Sequence, residues 1–342
     1  MAGTKKYDFN SFLIKSAMPI NQGFVLAGSS KEQEDIVYHY TSPDAFLSII
    51  QNQSIRFTDI RYLNDRAEGI YFVKLLLDFV EKNTGKYPLF EEVINQLLKG
   101  NDWKKIQNLE TTEVIYNEIP RMPYKAERVF VFCACAEPDQ LNMWNYYVNN
   151  GAYQGYNIGL RVKELLKTFD TPDQNTIDAF HVYYGNVLYD EKWQMTEIRM
   201  LAKSIERGID STPDKQRAIK YAQLNLRSYI NAQGAFYKNP KFKSENEFRI
   251  IVEISDGRIP HNEKDASGFV GENNKKLVEG FCTKRGLVVP FLTVALPADA
   301  LSRVTVAPMV EFDIAKQSIR ELFGVYGQGH PPIFKSNIPI RF

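Results

Sequence analysis

Two carboxylates and an arginine alternate along one stretch of the chain, KFKSENEFRIIVEI at residues 241–254. The pattern predicts a strand with apolar residues on one face and with Glu247 and Arg249 on the other; Glu245 joins the charged face if the strand extends back to it. The two glutamates would then lie roughly 6.5–7 Å apart, near enough to act at the two ends of one displacement reaction. Two interpretations stay open: an edge strand with a solvated charged face, in which a glutamate pairs with Arg249, or a Glu-x-Glu motif on an active-site strand.

A second polar group lies near the start of the chain, in IVYHYTSPDAFLSIIQNQSIRFTDIRYL, which begins at Ile36 and predicts a strand, a helix and a second strand. His39, Tyr40 and Thr41 end the first strand. Ser42 suits the N-cap of the helix, and the proline after it suits the first helical position, where its missing N–H costs nothing. For His39, the alternative to a ligand-binding role is that of a partly buried polar residue at a strand end.

The motif Asn64-Asp65-x-x-Glu68 precedes an apolar helical pattern. Its plain interpretation is capping, with Asn64 or Asp65 at the N-cap and Glu68 in the first turn. The functional alternative places these three polar groups beside a pocket, where they bind a ligand or order a loop over it.

Trp144 and Tyr147 are three residues apart, which puts them on one helix face if Asp139 or Asn142 caps that helix. Aromatic pairs at this spacing are typical of a core, and an aromatic wall of a binding pocket is the alternative.

Composition sets limits on function. The chain has 342 residues, 44% of them hydrophobic, and a formal charge of +1, so the average charge predicts neither nucleic-acid nor membrane binding. No apolar run approaches the roughly 20 residues needed to span a bilayer, and the first residues lack a signal-peptide core. Neither the cysteines nor the histidines have metal-ligand spacing, so we expect no metal site and buried thiols in a reducing cytosol.

Strand patterns occur in two groups with helical patterns gathered between them, which favours an α+β domain over regular βαβ alternation. Residues 1–35 are weakly patterned and predict an N-terminal arm. The rest, 36–342, predicts a single domain with helical insertions at about 70–125 and 191–237.

Five segments occur in the order YHYTS, YLNDRAEG, FVFCACAEPDQLNMWNYY, FKSENEFRI and KSNIPIR. Together they resemble a widespread bacterial family of unknown function whose pattern runs His-Tyr-Thr, Leu-Asn-Asp-x-x-Glu, Trp-x-x-Tyr, Glu-x-Glu-x-Arg and Ser-x-Ile-Pro-x-Arg. The resemblance extends from about Val37 to Arg341, with one departure at Ile340, where the family tends to have Tyr. A His-x-Thr near the start and a strand-borne Glu-x-Glu late in the chain also resemble the ADP-ribosyltransferase superfamily.

The second resemblance implies an ADP-ribosyltransferase-like split β-sheet core and NAD as co-substrate. Glu247 would stabilise the oxocarbenium-like charge that forms as the nicotinamide–ribose bond breaks, and Glu245 would deprotonate or orient the acceptor. His39 would bind a ribose hydroxyl, Thr41 would orient the sugar or a phosphate, and Arg249 would pair with a carboxylate or phosphate.

The same resemblance implies that Tyr40, Trp144 or Tyr147 stacks on nicotinamide, and that Asn64, Asp65 and Glu68 lie beside the NAD pocket. The implied acceptor is a protein or a nucleic acid, either RNA or DNA, and the implied role is that of a cytoplasmic bacterial toxin or phage-defence effector. The acceptor, or an antitoxin, would dock on the helical insertions. Two other functions stay open: a non-catalytic module that senses NAD or another nucleotide, and an NAD glycohydrolase.

Overall fold

The structure is a computed structural model. It describes residues 36–63, 68–97, 127–148, 152–169, 180–230, 234–255, 277–284 and 286–340. These residues divide into two compact units. The helical unit takes its described residues from 60–129 and 187–242, and the sheet unit from 36–59, 130–186 and 243–340. The predicted N-terminal arm, residues 1–35, lies outside the described residues.

The described strands form one ten-stranded sheet in the order β10-β9-β4-β1-β3-β2-β8-β7, with β6 paired to β3 and β5 paired to β6. Their bounds are β1 Ile36–Thr41, β2 Ser54–Asp59, β3 Glu127–Cys135, β4 Tyr156–Arg161, β5 Phe180–Asn186, β6 Glu247–Ser255, β7 Val278–Lys284, β8 Leu287–Ala295, β9 Leu301–Val306 and β10 Ile333–Lys335. The strand pairs with a described register are antiparallel, except for β9 with β10, which is parallel. The expected α+β class is therefore confirmed.

Four described α-helices accompany the sheet and four make up the helical unit. The first set is α1 Pro43–Asn52, α4 Leu141–Tyr147, α5 Val162–Leu166 and α8 Phe312–Tyr326; the second is α2 Glu68–Lys82, α3 Pro88–Leu97, α6 Glu191–Asp210 and α7 Lys215–Ser228. Short 3₁₀ helices occur at Ile60–Tyr62, Lys167–Phe169, Gly234–Phe236, Pro240–Glu245 and Ala298–Ala300. None of the described helices is both long and apolar enough to cross a bilayer.

Helix α1 connects β1 to β2 and begins as predicted. The Ser42 hydroxyl accepts a hydrogen bond from the Ala45 N–H at 3.3 Å, and Pro43 occupies the first helical position. The helix ends at Asn52, and its C-cap Gln53 has a left-handed backbone (φ +47°) that leads into β2. Its buried face carries Phe46 and Ile50. These boundaries fix where β1 ends and β2 starts.

The helical unit has its own core and a buried polar network. Phe72 of α2 packs against the rings of Tyr229 and Tyr237, with centroids 5.6 and 4.4 Å away. The fully buried Gln194 side chain donates to the carbonyls of Leu188 and Lys238 at 2.6 and 2.9 Å. Those two bonds tie α6 to the segment just before it and to the segment that follows α7. The helices of both predicted insertions fall in this unit.

Candidate functional site

Strand β3 is the element around which the candidate residues gather. It pairs with β1 at Cys135, with β2 at Phe130 and Val131, and with β6. A strand has only two edges, so two of these three partners must share one of them. Cys133 lies between the residues that pair with β1 and those that pair with β2, and its carbonyl accepts a hydrogen bond from His39 Nδ1 at 3.1 Å.

His39 is held as a neutral imidazole. A carbonyl oxygen only accepts, so Nδ1 carries the proton and Nε2 is left as an acceptor. Burial lowers the pKa of His39, and the bond to Cys133 opposes that effect without outweighing it. The ring also packs against Phe132, with centroids 4.9 Å apart. His39 therefore presents a hydrogen-bond acceptor, not a positive charge, at pH 7.

Strand registers show which side chains share a face of the sheet. Tyr38 pairs with Cys135, and Thr58 pairs with Val131. Directly paired residues share a face, and so do residues an even number apart on one strand. These four residues therefore define one face of the sheet, called here the front face.

A cavity of about 850 Å³ lies where β1 and β2 separate. Its described lining residues are His39, Thr41, Ala45, Ser48, Ile49, Gln51, Asn52, Ser54, Arg56, Val278, Phe291 and Thr293. By strand alternation His39 and Thr41 are on the back face, whereas Ser54 and Arg56 are on the front face. A cavity lined by opposite faces of β1 and β2 requires that the sheet be open between them. β1 and β2 therefore both pair with the same edge of β3. Beyond β3 they separate, one on each side of the cavity, and α1 connects them across the gap.

Tyr40 lies outside this cavity, contrary to the expectation that it joins His39 and Thr41 at one ligand. It is on the front face, 5% exposed, and its ring meets Trp144 edge-on with centroids 4.8 Å apart. Its hydroxyl donates to the Glu137 carbonyl at 3.0 Å and accepts from the Gln140 N–H at 2.9 Å. Burial raises the pKa of Tyr40 well above its usual range. The alternation of β1 makes Tyr40 a core residue that fixes the turn after β3.

Trp144 is fully buried in the same cluster, against which Tyr147 packs as a half-buried residue. Trp144 is therefore a core residue. Tyr147 is the only one of the two whose side chain is partly accessible to solvent. Neither Asp139 nor Asn142 caps α4. The N-cap is Gln140, without a side-chain cap bond.

Asp139 instead anchors the end of the described chain. Its carboxylate accepts from Trp144 Nε1 at 2.7 Å, from the Ser336 hydroxyl at 2.8 Å and from the Asn337 N–H at 2.7 Å. Ile338 packs against the same cluster. Sequence reasoning missed this role because the three donors lie up to 198 positions away.

Glu247 and Arg249 form a buried ion pair at the start of β6. Arg249 Nε and Nη2 both contact Glu247 Oε2, at 2.6 and 2.5 Å, and the two side chains are only 3% and 1% exposed. The interpretation as a solvated edge strand is therefore wrong, because β6 is paired on both sides, with β3 and with β5. The expected pairing of a glutamate with Arg249 is observed, but in the interior.

Glu245 does not continue β6. It ends a 3₁₀ helix, and Asn246 between the two glutamates has a left-handed backbone, with φ of +43°. The expectation that Glu245 and Glu247 alternate on one strand face is wrong, because a left-handed residue breaks the period of two. Glu245 is nevertheless buried.

The structure brings His39 and Glu247 to neighbouring positions along β3. His39 bonds the carbonyl of Cys133, while the Ala136 N–H, just past β3, donates to the Asn246 carbonyl at 2.9 Å. Burial raises the pKa of Cys135 to about 11, and the nearby Glu137 and Glu247 carboxylates add to that rise. The strands that carry His39 and Glu247 thus flank one strand, roughly 10 Å apart, which is two strand spacings.

Other predicted residues are not joined to this group. Glu247 and Arg249 are absent from the described lining of the cavity. Asn64 and Asp65 lie outside the described residues, as does the side chain of Glu68, whose backbone begins α2. Within the described chain no cluster of three or more His, Cys, Asp and Glu side chains is arranged to hold a metal ion.

Residues 143–250 match a family model described as a protein of unknown function, DUF2971. The match supports the expected resemblance to a widespread family of unknown function, and it includes Trp144, Tyr147 and the Glu247–Arg249 pair. It carries no link to ADP-ribosyltransferases. No curated protein and no solved structure matches the chain significantly.

Proposed function

We propose that this protein is an NAD-dependent ADP-ribosyltransferase that modifies a macromolecular acceptor, protein or nucleic acid, as a bacterial toxin or phage-defence effector. The observation that supports it is the approach of His39 and Glu247 to β3 within residues 133–136, beside a cavity in an open sheet. This arrangement suits an ADP-ribosyltransferase-like split sheet, in which a histidine strand and a glutamate strand flank the NAD site.

In the proposed reaction the bond between the ribose C1′ and the nicotinamide nitrogen breaks, and its electron pair leaves with nicotinamide. Positive charge grows on the ribose, and the Glu247 carboxylate, oriented by Arg249, stabilises that charge more than it stabilises bound NAD. A nucleophile of the acceptor then bonds to C1′ and gives up its proton, for which Glu245 is the candidate base. His39 Nε2 accepts a hydrogen bond from a ribose hydroxyl, and Thr41 lies beside it in the cavity. Tyr147 is the candidate for stacking on nicotinamide.

A sensing module that binds a nucleotide without turnover is the second candidate. It is favoured by one observation: the described lining of the cavity holds uncharged polar groups and Arg56, but no carboxylate. An NAD glycohydrolase differs from a transferase only in using water as the acceptor.

The test is incubation with NAD labelled in its adenosine part, in the presence of cell lysate, with assays of nicotinamide release and of label in protein, DNA, RNA and free ADP-ribose. Glu247→Gln is expected to lower turnover roughly 10²–10³-fold, the usual loss of one electrostatic stabiliser. Glu253→Gln is the matched control, because Glu253 is equally buried on the same strand and binds the Tyr183 hydroxyl. Both variants are assayed below their own melting temperatures.

Each outcome decides between the candidates. Label in a macromolecule supports the transferase, and label in free ADP-ribose alone supports the glycohydrolase. NAD binding without nicotinamide release supports the sensor. Equal turnover in wild type and Glu247→Gln would remove Glu247 from the mechanism. Glu245→Gln is expected to lose transfer but to keep slow hydrolysis, because water still reaches C1′.

A further inference from the structure

One cation is built into the wall of the cavity. The Arg56 guanidinium lies over the Phe291 ring, 4.5 Å from its centroid. Phe291 is itself buried and paired with Gly280 across β7 and β8, where a Cβ would come within 2.7 Å of the ring. Only glycine at position 280 leaves room for this ring. The arginine therefore stands on a fixed aromatic support and loses little freedom on binding a ligand.

Arg56 is also the only charged group among the described residues that line the cavity, since His39 is neutral there. Its side chain is exposed, and it makes no ion pair within the described part of the chain. Thr293 lies directly opposite it on β8 and offers a hydroxyl. A guanidinium in a cavity without a described carboxylate favours an anionic ligand, and its planar fork suits phosphate oxygens.

The β1 side of the cavity has the complementary chemistry. His39 presents an acceptor nitrogen, so it selects a ligand group that donates a hydrogen bond, such as a hydroxyl. Ser48 and Asn52 of α1 add uncharged polar groups and Ile49 adds apolar surface, whereas Ser54 and Val278 belong to the opposite wall of the cavity. One ligand that carries hydroxyl donors at one end and an anion at the other is a sugar phosphate. The volume of about 850 Å³ lies within the range of pockets that take cofactor-sized ligands.

We propose that Arg56, supported by Phe291, binds a phosphate of a nucleotide whose ribose hydroxyl donates to His39 Nε2. This proposal rests on the proposed function and deepens it, since it places the phosphates of NAD at the β2–β8 wall and a ribose at the β1 wall. It also assigns to Arg56 a role that neither its sequence position nor the family match indicates.

The experiment is isothermal titration calorimetry with ADP-ribose and with adenosine, because neither ligand has a nicotinamide to lose. Arg56→Gln is expected to weaken ADP-ribose binding roughly 10- to 100-fold, the loss of one charge-assisted contact, and to leave adenosine binding unchanged. Arg320→Gln is the control, an exposed arginine of α8 outside the cavity. Phe291→Leu keeps the charge but removes its support, and is expected to cause a smaller loss.

Equal ADP-ribose affinity in wild type and Arg56→Gln would overturn the proposal, as would an equal loss for both ligands or failure of the wild type to bind ADP-ribose. A wild type that binds ADP-ribose through Arg56 but releases no nicotinamide from NAD would leave the phosphate site standing and refute transfer. If the wild type releases nicotinamide from NAD and Arg56→Gln binds ADP-ribose as tightly as the wild type, the transferase would stand and the phosphate site at Arg56 would be refuted.

Discussion

Arg249 and Glu247 are a charged pair in the interior of the sheet, and each compensates the buried charge of the other. Burying one charge without the other is costly, so removal of either partner is expected to destabilise the sheet. Arg249→Met is expected to lower the free energy of unfolding by about 3–5 kcal/mol, whereas the double variant Glu247→Leu/Arg249→Met is expected to recover part of that loss. Urea denaturation of the four proteins of this double-mutant cycle measures the coupling. A double variant whose loss equals the sum of the single losses would contradict the coupling.

His39 gives a pH dependence whose sign follows from its lowered pKa. The unfolded chain takes up a proton near pH 6.5, whereas folded His39 resists protonation, so its contribution to stability is complete above pH 6.5 and is lost as the pH falls below it. The free energy of unfolding of the wild type should therefore fall more steeply from pH 7 to pH 5.5 than that of His39→Asn. The affinity for ADP-ribose should fall only at lower pH, through the lowered pKa of folded His39, because protonated Nε2 no longer accepts.

The comparison needs a histidine that does not face the cavity. His330 is exposed and does not line the cavity, and His330→Asn is the matched histidine substitution. If His39→Asn has the wild-type slope in denaturation, its imidazole does not resist protonation in the fold, and the acceptor assigned to Nε2 fails with it.

At the scale of elements, Asp139 joins α4 to the segment after β10. Asparagine retains one carbonyl oxygen in place of two carboxylate oxygens, so it cannot accept from all three donors in the same way. Asp139→Asn is expected to cost about 1–3 kcal/mol of stability, and Ser336→Ala, which removes one bond, about 0.5–1.5 kcal/mol. Hydrogen exchange at the Asn337 amide should speed up in Asp139→Asn. Unchanged exchange there would show that the carboxylate does not hold this segment.

The elements that the sequence predicts well are those fixed by local chemistry. Ser42 and the proline after it place the start of α1 because both act within one helical turn. The start of β6 is different: Glu245 fits the alternating pattern, but the left-handed backbone of Asn246 ends that pattern at Glu247. Strand β7, Val278–Lys284, has no strand prediction at all, because its mixed polar and glycine sequence lacks alternation.

The candidate site is only partly predictable for the same reason. His39 and Glu247 are marked by their motifs, but their approach to β3 depends on registers between segments far apart in sequence. Neither Arg56 nor Phe291 belongs to a motif. The one local sequence signal for Arg56 is that it alternates with the apolar residues of β2, which predicts that it lies on the opposite face. Tyr40 shows the converse, since a residue between two cavity residues must point to the opposite face.

At the scale of the whole molecule, the proposed acceptor needs a docking surface, and a net charge of +1 gives no general attraction to nucleic acid. Trp193 and Met200 are seven residues apart on one face of α6 and are 58% and 59% exposed. Trp193→Ala/Met200→Ala is expected to lower acceptor labelling at least several-fold and to leave nicotinamide release unchanged.

An exposed apolar residue of the sheet unit is the control for this surface. Val325 of α8 is more exposed than either, and Val325→Ala should label the acceptor like the wild type. Unchanged labelling by the α6 double variant would exclude this face from docking. Equal losses of labelling and of nicotinamide release would show that the substitutions impair the enzyme itself and not the docking of the acceptor.

The open sheet also has a consequence for the timing of synthesis. One wall of the cavity comes from residues 39–56, and the other comes from residues 278–293. The ribosome must add roughly 220 residues between them, which takes roughly 10–45 s at ordinary rates. Until then the nascent chain has only half of the proposed nucleotide site. If the proposed toxin function holds, the protein would thus be harmless to its own cell while it is being made, and an inhibitory partner would have that interval in which to bind it.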